Sequence, residues 1–145
     1  EKLLALLKKE AFFDLTPPKS TGRELFNLGW LESKLSDESV EDVQRTLVAL
    51  TAGTITEAIE RFAPDIQELF VCGGGAKNSL LMQEFTAMNP ARAVKTTAAL
   101  GMDAQDVEGA AFAWLAKRFV ERQPGNLPSV TGAEGGRILG ALYPA

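Results

Sequence analysis

The sequence of 145 residues contains no histidine and only one cysteine, Cys72. Histidine is the usual general base near neutral pH, so its absence excludes serine–histidine and cysteine–histidine catalysis and removes the commonest metal ligand. A single cysteine cannot form a disulfide within the chain, and we expect Cys72 to be a small buried apolar residue rather than a nucleophile. Acid–base chemistry is therefore left to other side chains.

The chain also lacks long apolar runs and clusters of positive charge. No run approaches the roughly 18 apolar residues that span a bilayer, and the N-terminal EKLLALLKKE does not resemble a secretory signal, so we expect a cytoplasmic protein without a membrane segment. The net charge is −4 with mixed signs along the chain. Nucleic acid is therefore excluded as a partner, because phosphate contacts require clustered Lys and Arg.

The composition is that of one soluble globular domain, with 46% hydrophobic and 23% charged residues. The chain begins at Glu1 rather than at a methionine and enters a helical pattern at once. From this start we expect the sequence to be a piece of a longer protein.

Apolar periodicity predicts helices in the first part of the chain and alternating strands and helices in the second. The predicted elements are helices over 2–9 and 23–35, a helix from an N-cap at Ser36 to just before Pro64, a strand over 66–72, a helix over 78–88, a strand over 92–97 and a helix over 103–122. Trp114 and Phe112 of the last helix are expected in the core. The β-α-β-α order predicts an α/β fold whose ligands bind at the carboxyl ends of the strands.

Three consecutive glycines, Gly73 to Gly75, follow the first predicted strand. They do not form a P-loop, because Asn78 rather than Ser or Thr follows Lys77 and the residue before Lys77 is not glycine. They do not form a dinucleotide fingerprint either, since Asn78 stands in place of its third glycine. Two interpretations remain open: a sharp strand-to-helix turn, or bare backbone against which a nucleotide lies while amides face its phosphates.

Five separated motifs carry a resemblance to a known family: PPKSTGRELFN, FVCGGGAKNSLLM, VEGAAFAWLA, PGNLPSVTGA and ILGALYP. Together they resemble the C-terminal part of the 1,6-anhydro-N-acetylmuramic acid kinases, and the match covers nearly the whole chain. The resemblance implies that residues 1–145 belong to an actin-like or sugar-kinase ATPase domain, with a ribonuclease H-like sheet flanked by helices. It also implies that the N-terminal portion of a two-domain enzyme is absent from this sequence.

The resemblance implies a kinase that uses ATP and Mg²⁺ to open the anhydro ring of the sugar and phosphorylate its O6. Gly73, Gly74, Gly75 and Asn78 would then bind the nucleotide, and Glu108 would be a catalytic carboxylate. The family's main catalytic aspartate lies in an Asp-Thr-Gly-Pro-Gly-Asn stretch that this sequence does not contain. The expected partners are ATP and a small sugar, and a homodimer of the intact protein is a further expectation.

Two other functions stand beside this interpretation. One is a non-catalytic, nucleotide-dependent regulatory or interaction module of the same superfamily, and the other is a structural remnant that neither binds nor catalyses. Ala98 and Gly109 depart from the family pattern, which has an acidic residue and an alanine there. For PPKSTGRE we favour a turn that enters a helix over a cleft loop in which Lys19 or Arg23 contacts an anion.

Overall fold

The computed structural model describes residues 1–143 as a small α/β structure. In chain order its elements are α1 (Lys2–Leu7), α2 (Leu28–Glu32), α3 (Val40–Phe62), β1 (Glu68–Val71), α4 (Ser79–Met88), β2 (Ala93–Thr96), α5 (Asp106–Val120) and α6 (Pro128–Thr131). Short 3₁₀ helices lie at Ala11–Asp14, Gly74–Lys77 and Thr97–Leu100. Pro144, which ends the last of the five motifs, lies outside the described residues. Within the described range, no helix is both long enough and apolar enough to cross a membrane.

The two strands pair in parallel, with Glu68 opposite Ala93 and Val71 opposite Thr96. Parallel neighbours need a crossover, and α4 supplies it by packing on β2 while it connects the two strands. The predicted strand–glycine–helix–strand order is thus confirmed, although each strand is shorter than its apolar run. The carboxyl ends of β1 and β2 lie at the same edge of the sheet.

Helix α3 is the longest element, and it packs against both α1 and α4. It begins three residues later than predicted, because Ser39 rather than Ser36 is its N-cap. The Ser39 hydroxyl accepts a hydrogen bond from the Asp42 amide at 3.1 Å, whereas the Ser36 amide donates to the Glu38 carboxylate in a local turn. Its end at Phe62, before Pro64, is as predicted.

Two groups of buried side chains lie along α3. The first joins α1 to the N-terminal half of α3 and contains Leu3, Leu7, Val43 and Leu50. The second joins the C-terminal half of α3 to α4 and the sheet and contains Ala52, Leu81 and Phe85, with Leu69, Val71 and Val94 packed against it. Ala52 is fully buried, because the small side chain in the middle of α3 allows α4 to pack closely on it.

The Arg92 side chain, just before β2, bonds to the end of α3 and to the turn that follows it. Its guanidinium donates to the backbone carbonyls of Pro64 at 2.8 Å and Ile66 at 3.2 Å, and to the side chain of the buried Asn89 at 3.3 Å. It also pairs with the Glu60 carboxylate, and this hydrogen bond lowers the pKa of Glu60 and raises the pKa of Arg92. One side chain therefore satisfies two of the carbonyls in the turn between α3 and β1.

The helix predicted over 23–35 is correct only in its second half. Residues 22–26 form turns in which the Phe26 amide donates to the Gly22 carbonyl, and α2 begins after Asn27. The Asn27 side chain accepts from the Trp30 amide at 2.9 Å and so caps α2 from within the predicted helix. An asparagine at this place starts a helix more favourably than it continues one.

Helix α5 departs most from expectation. Phe112 is 64% exposed and Trp114 is 51% exposed, so the prediction that both lie in the core is wrong for this chain. Within residues 1–143, α5 packs extensively on no other helix or strand. Among the described residues its apolar side is covered only in part, where Leu115 and Phe119 share a groove with the tail around Leu139.

The packing at Ala52 predicts opposite effects for two adjacent substitutions. Ala52→Leu should lower the free energy of unfolding by about 1–3 kcal/mol, because the added atoms meet Leu81 and Phe85. Gly53→Ala is the matched control: a Cβ there meets no atom within 4 Å, so this change should raise the stability by about 0.5–1 kcal/mol. Urea unfolding measures both. Equal effects of the two substitutions would contradict the close packing of α3 on α4.

Candidate functional site

The glycine loop, Gly73 to Gly75, leaves the carboxyl end of β1 and leads into α4. Gly73 has φ of 71° and ψ of −164°, a combination that is essentially restricted to glycine. This dihedral pair turns the chain out of the strand direction at once, and residues 74–77 then form a single 3₁₀ turn. The first glycine is therefore required by the backbone itself.

The other two glycines leave their backbone accessible. A Cβ added at Gly73 or Gly74 would meet no atom within 4 Å, and one at Gly75 would only touch Leu81 at 3.4 Å. Within residues 1–143, the amides of Gly74 and Gly75 donate no hydrogen bond, whereas the Gly73 amide donates to the Ala104 carbonyl at 2.7 Å. The loop thus presents two unpaired donors beside open space.

Asn78 has a structural role that is visible in the geometry. Its side-chain oxygen accepts a hydrogen bond from the Leu81 amide at 3.1 Å, which makes it the N-cap of α4. Its side-chain nitrogen has no partner among the described residues. Asn78 therefore begins the helix, and its side-chain nitrogen is left for a contact with a ligand.

Glu108 lies in the first turn of α5, where it is exposed and forms no hydrogen bond or ion pair within the described range. The start of this helix contacts the glycine loop, because the Gln105 side chain donates to the Gly73 carbonyl at 2.8 Å. Glu108 is three residues after Gln105, and residues at this spacing are neighbours on a helix surface. The structure thus brings the segment that carries Glu108 to the glycines predicted to bind nucleotide.

Sequence reasoning missed two polar residues at this edge. Gln105 lay inside the helix predicted over 103–122, and nothing in the local sequence indicated its contact with Gly73. Thr97 follows β2, and its hydroxyl is buried without a hydrogen-bond partner among residues 1–143. Leaving a buried hydroxyl unpaired costs about 1–3 kcal/mol, so Thr97 offers a polar group that a contact at this edge would satisfy.

Cys72 is exposed, so the prediction that it is buried is wrong. It follows Val71, the last paired residue of β1, and so it lies beyond the ladder at the open edge of the sheet. PPKSTGRE does not lead directly into a helix as expected, since α2 begins only at Leu28; the Lys19 ammonium donates to the carbonyls of Phe12 at 3.0 Å and Phe13 at 3.1 Å. Its charge therefore holds a turn together.

Two concavities lie away from the glycine loop. A polar pocket of about 240 Å³ sits between the first residues and α3, and it is lined by Lys8, Phe13, Asp14, Lys19, Thr54, Glu57, Ala58, Arg61 and Phe62. An apolar groove of about 510 Å³ lies between α5 and the tail around Leu139. Neither concavity contains the unpaired backbone donors that distinguish the glycine loop.

The described residues contain no cluster of three or more His, Cys, Asp or Glu side chains that could hold a metal ion. Mg²⁺ in phosphoryl-transfer sites commonly binds through one or two carboxylates, waters and the phosphates of the substrate. Near the glycine loop, the Asp106 and Glu108 carboxylates, both in the first turn of α5, form no side-chain bond within residues 1–143. The edge of this sheet therefore supplies backbone donors for an anion and two free carboxylates.

Comparison with known proteins gives a consistent result over the full length of the chain. The family model for anhydro-N-acetylmuramic acid kinase matches residues 1–145. Curated relatives with that name include one from Nitrosomonas europaea, 52% identical over 144 residues, and one from Burkholderia cenocepacia, 54% identical over 149 residues. These alignments cover 99% and 98% of this chain but only 40% and 39% of the relatives. A Pseudomonas paraeruginosa relative is 51% identical, over 100% of this chain and 40% of its own length.

The backbone conformation of the glycine loop predicts that alanine substitution destabilises the protein at Gly73 but not at Gly74. Gly73→Ala should lower the free energy of unfolding by about 1–3 kcal/mol, because a side chain is strained at its positive φ. Gly74→Ala should change it by no more than about 0.5 kcal/mol, since its Cβ enters open space. Chemical denaturation of both variants measures the difference. Equal tolerance at the two positions would contradict the described loop geometry.

Proposed function

Since the chain belongs to the anhydro-N-acetylmuramic acid kinase family, we propose that it forms the C-terminal, adenosine-side portion of an ATP-dependent kinase. The reaction opens the 1,6-anhydro ring of anhydro-N-acetylmuramic acid with water and transfers a phosphoryl group to O6, which gives N-acetylmuramic acid 6-phosphate. The chain spans about 40% of the length of the curated relatives it matches. The activity therefore belongs to the intact protein, of which this chain supplies part of the site.

The observation that carries the proposal is the open glycine loop at the carboxyl edge of the parallel sheet. Nucleotides bind outside the carboxyl ends of parallel strands, and unpaired amides next to bare backbone suit a phosphate or a ribose. The open space at Gly73 and Gly74 allows close approach of a flat ligand. Both features fit ATP, so Gly73, Gly74 and Gly75 form its proposed binding surface, with the Asn78 side-chain nitrogen nearby.

Bound ATP, with Mg²⁺, supplies the phosphoryl group and the charge neutralisation that phosphoryl transfer requires. The residues of this chain bind the nucleotide and orient the reactants. The glycine loop holds the nucleotide, and the Glu108 carboxylate orients the water that opens the ring or positions the sugar. Positioning of this kind provides much of the rate enhancement in phosphoryl transfer, because the protein performs little covalent chemistry itself.

The exposed apolar side chains of α5 fit the proposal that a larger body surrounds this chain. Phe112 is 64% exposed, Trp114 51% and Val120 78%, and Phe112 and Trp114 lie on different sides of the helix because they are two residues apart. The sheet has two strands among the described residues, fewer than the roughly four to six that are most common. We propose that the remaining part of the kinase covers these side chains and extends the sheet into an actin-like ATPase domain.

Substitution of Gly74 tests the nucleotide site in the intact protein. Gly74→Val should raise the Kd for ATP by about tenfold or more, because a branched side chain occupies the space through which the nucleotide approaches. A Cβ there meets no protein atom within 4 Å, so the loss would report on the ligand rather than on the fold. Gly53→Val, in the middle of α3 and equally open, is the control and should leave the Kd unchanged. Isothermal titration measures both, and an unchanged Kd for Gly74→Val would reject the site.

Substitution of Glu108 tests the catalytic role. Glu108→Gln should lower kcat by roughly 10² while ATP affinity stays unchanged, which is the scale for a positioned acid–base group. Glu121→Gln, the same chemical change beyond the other end of α5, should leave kcat alone. The measurement is steady-state kinetics with the anhydrosugar varied at saturating ATP.

The kinetic pattern separates the alternatives for Glu108. A rise in KM without a fall in kcat would assign Glu108 to sugar binding rather than to water activation. Wild-type kinetics in the Gln variant would remove it from the site. Absence of any turnover in the intact wild-type protein that still binds ATP would favour the non-catalytic nucleotide-dependent module instead.

A further inference from the structure

We propose that Gln105 is a positioning residue that holds the glycine loop in its nucleotide-binding conformation and links that loop to Glu108. This inference rests on the proposed function. It concerns a side chain that takes no part in the chemistry and that acts through the backbone of Gly73. Its effect is therefore expected in ATP affinity first.

Two tertiary hydrogen bonds, which we call the clamp, hold Gly73 through its backbone amide and its backbone carbonyl. The Gly73 amide donates to the Ala104 carbonyl at 2.7 Å, and the Gly73 carbonyl accepts from the Gln105 side-chain nitrogen at 2.8 Å. Two consecutive residues, Ala104 and Gln105, thus bond to the amide and to the carbonyl of Gly73, and this carbonyl also accepts from the Ala76 amide at 3.2 Å within the 3₁₀ turn. The contact between Gln105 and Gly73 joins positions 32 residues apart in the sequence, so it is tertiary rather than local.

The segment that supplies the clamp is itself ordered by local bonds. Gly101, with φ of 83°, ends the short 3₁₀ helix after β2. The Asp103 carboxylate then accepts from the Gln105 amide at 2.8 Å, and the Asp103 carbonyl accepts from the Asp106 amide at 3.0 Å. Ala104 between them is buried. The backbone of Gln105 is therefore already ordered by the turn, so less conformational entropy is lost when its side chain bonds to the glycine loop.

The Gln105 side chain does not cap α5, although Gln105 occupies the N-cap position of that helix. The Gln105 side chain is free to bond elsewhere, and its bond to the Gly73 carbonyl fixes the orientation of the glycine loop relative to α5. Because the Gly73 conformation sets where the chain goes next, it also sets the direction of the unpaired Gly74 and Gly75 amides.

The same side chain couples the two proposed halves of the site. Gln105 contacts the loop, and Glu108 follows one turn later on the same side of α5. Any displacement of the loop relative to α5 changes the distance between the bound nucleotide and this carboxylate. Loss of the clamp should therefore weaken ATP binding and lower kcat, while the KM for the sugar changes little.

The test compares variants of the intact protein that keep the size of the side chain but change its hydrogen bonding. Gln105→Met removes the donor, and Gln105→Glu places an acceptor against the Gly73 carbonyl. We expect the Kd for the non-hydrolysable analogue of ATP to rise about three- to tenfold for Met and further for Glu. Gln83→Met, on the exposed side of α4, is the matched control and should leave the Kd unchanged. Isothermal titration gives the Kd, and urea unfolding gives the stability of each variant.

A double-mutant cycle with Gly73→Ala distinguishes positioning from general destabilisation. If Gln105 acts through Gly73, the effects of Gln105→Met and Gly73→Ala on the Kd are less than additive, because either change releases the same clamp. Additive effects, or a loss of stability without a change in Kd, would overturn the positioning role.

Gly74→Val shows which proposal has failed. Unchanged Kd in the Gln105 variants together with weakened binding in Gly74→Val overturns the clamp and leaves the nucleotide site in place. Unchanged Kd in all of these variants rejects the nucleotide site, and the clamp with it.

Discussion

The parallel pairing of β1 with β2 is the constraint on which the site depends. A crossover must return the chain to the starting end of the sheet, and α4 performs this return against α3. As a consequence, the segments that follow both strands emerge at one edge. The glycine loop follows β1, and the turn that contains Ala104 and Gln105 follows β2, so the two hydrogen bonds to Gly73 are a result of topology.

The glycines differ in what the backbone requires of them. Gly73 is needed for its backbone conformation, because its dihedral angles are those of a residue without a side chain. Gly74 is under no such requirement, and its backbone lies beside open space. The structural and ligand-binding interpretations of the glycine loop are therefore not exclusive. The first glycine forms the turn, and the next ones leave their amides exposed at the turn.

The prediction of structure from sequence succeeded where local patterns decide the outcome. The order of strand, glycines, helix and strand was visible because apolar runs and turn residues alternate clearly, and Asn78 marked the start of α4. It failed where tertiary contacts decide. The periodic stripe of α5 correctly predicted a helix, but periodicity does not say whether a covering surface belongs to the same 145 residues. The exposure of Trp114 shows that it does not lie in the core of this chain.

The candidate site was predicted unevenly for the same reason. Three adjacent glycines after an apolar run are a strong local signal, and the family resemblance added Glu108. Gln105 gave no signal, because its contact with Gly73 depends on the pairing of two strands that are separated by a helix. Nor could composition reveal the unpaired hydroxyl of Thr97, since burial is a property of the fold.

The central claim is that the backbone of the glycine loop binds the adenosine side of ATP. A crystal structure of the intact protein with Mg²⁺ and a non-hydrolysable ATP analogue tests it most directly. The account predicts nucleotide atoms in van der Waals contact, within about 4 Å, with the backbone of Gly73 to Gly75 and Gln105 still bonded to the Gly73 carbonyl. A nucleotide bound elsewhere, with the glycine loop covered by protein side chains, would contradict it.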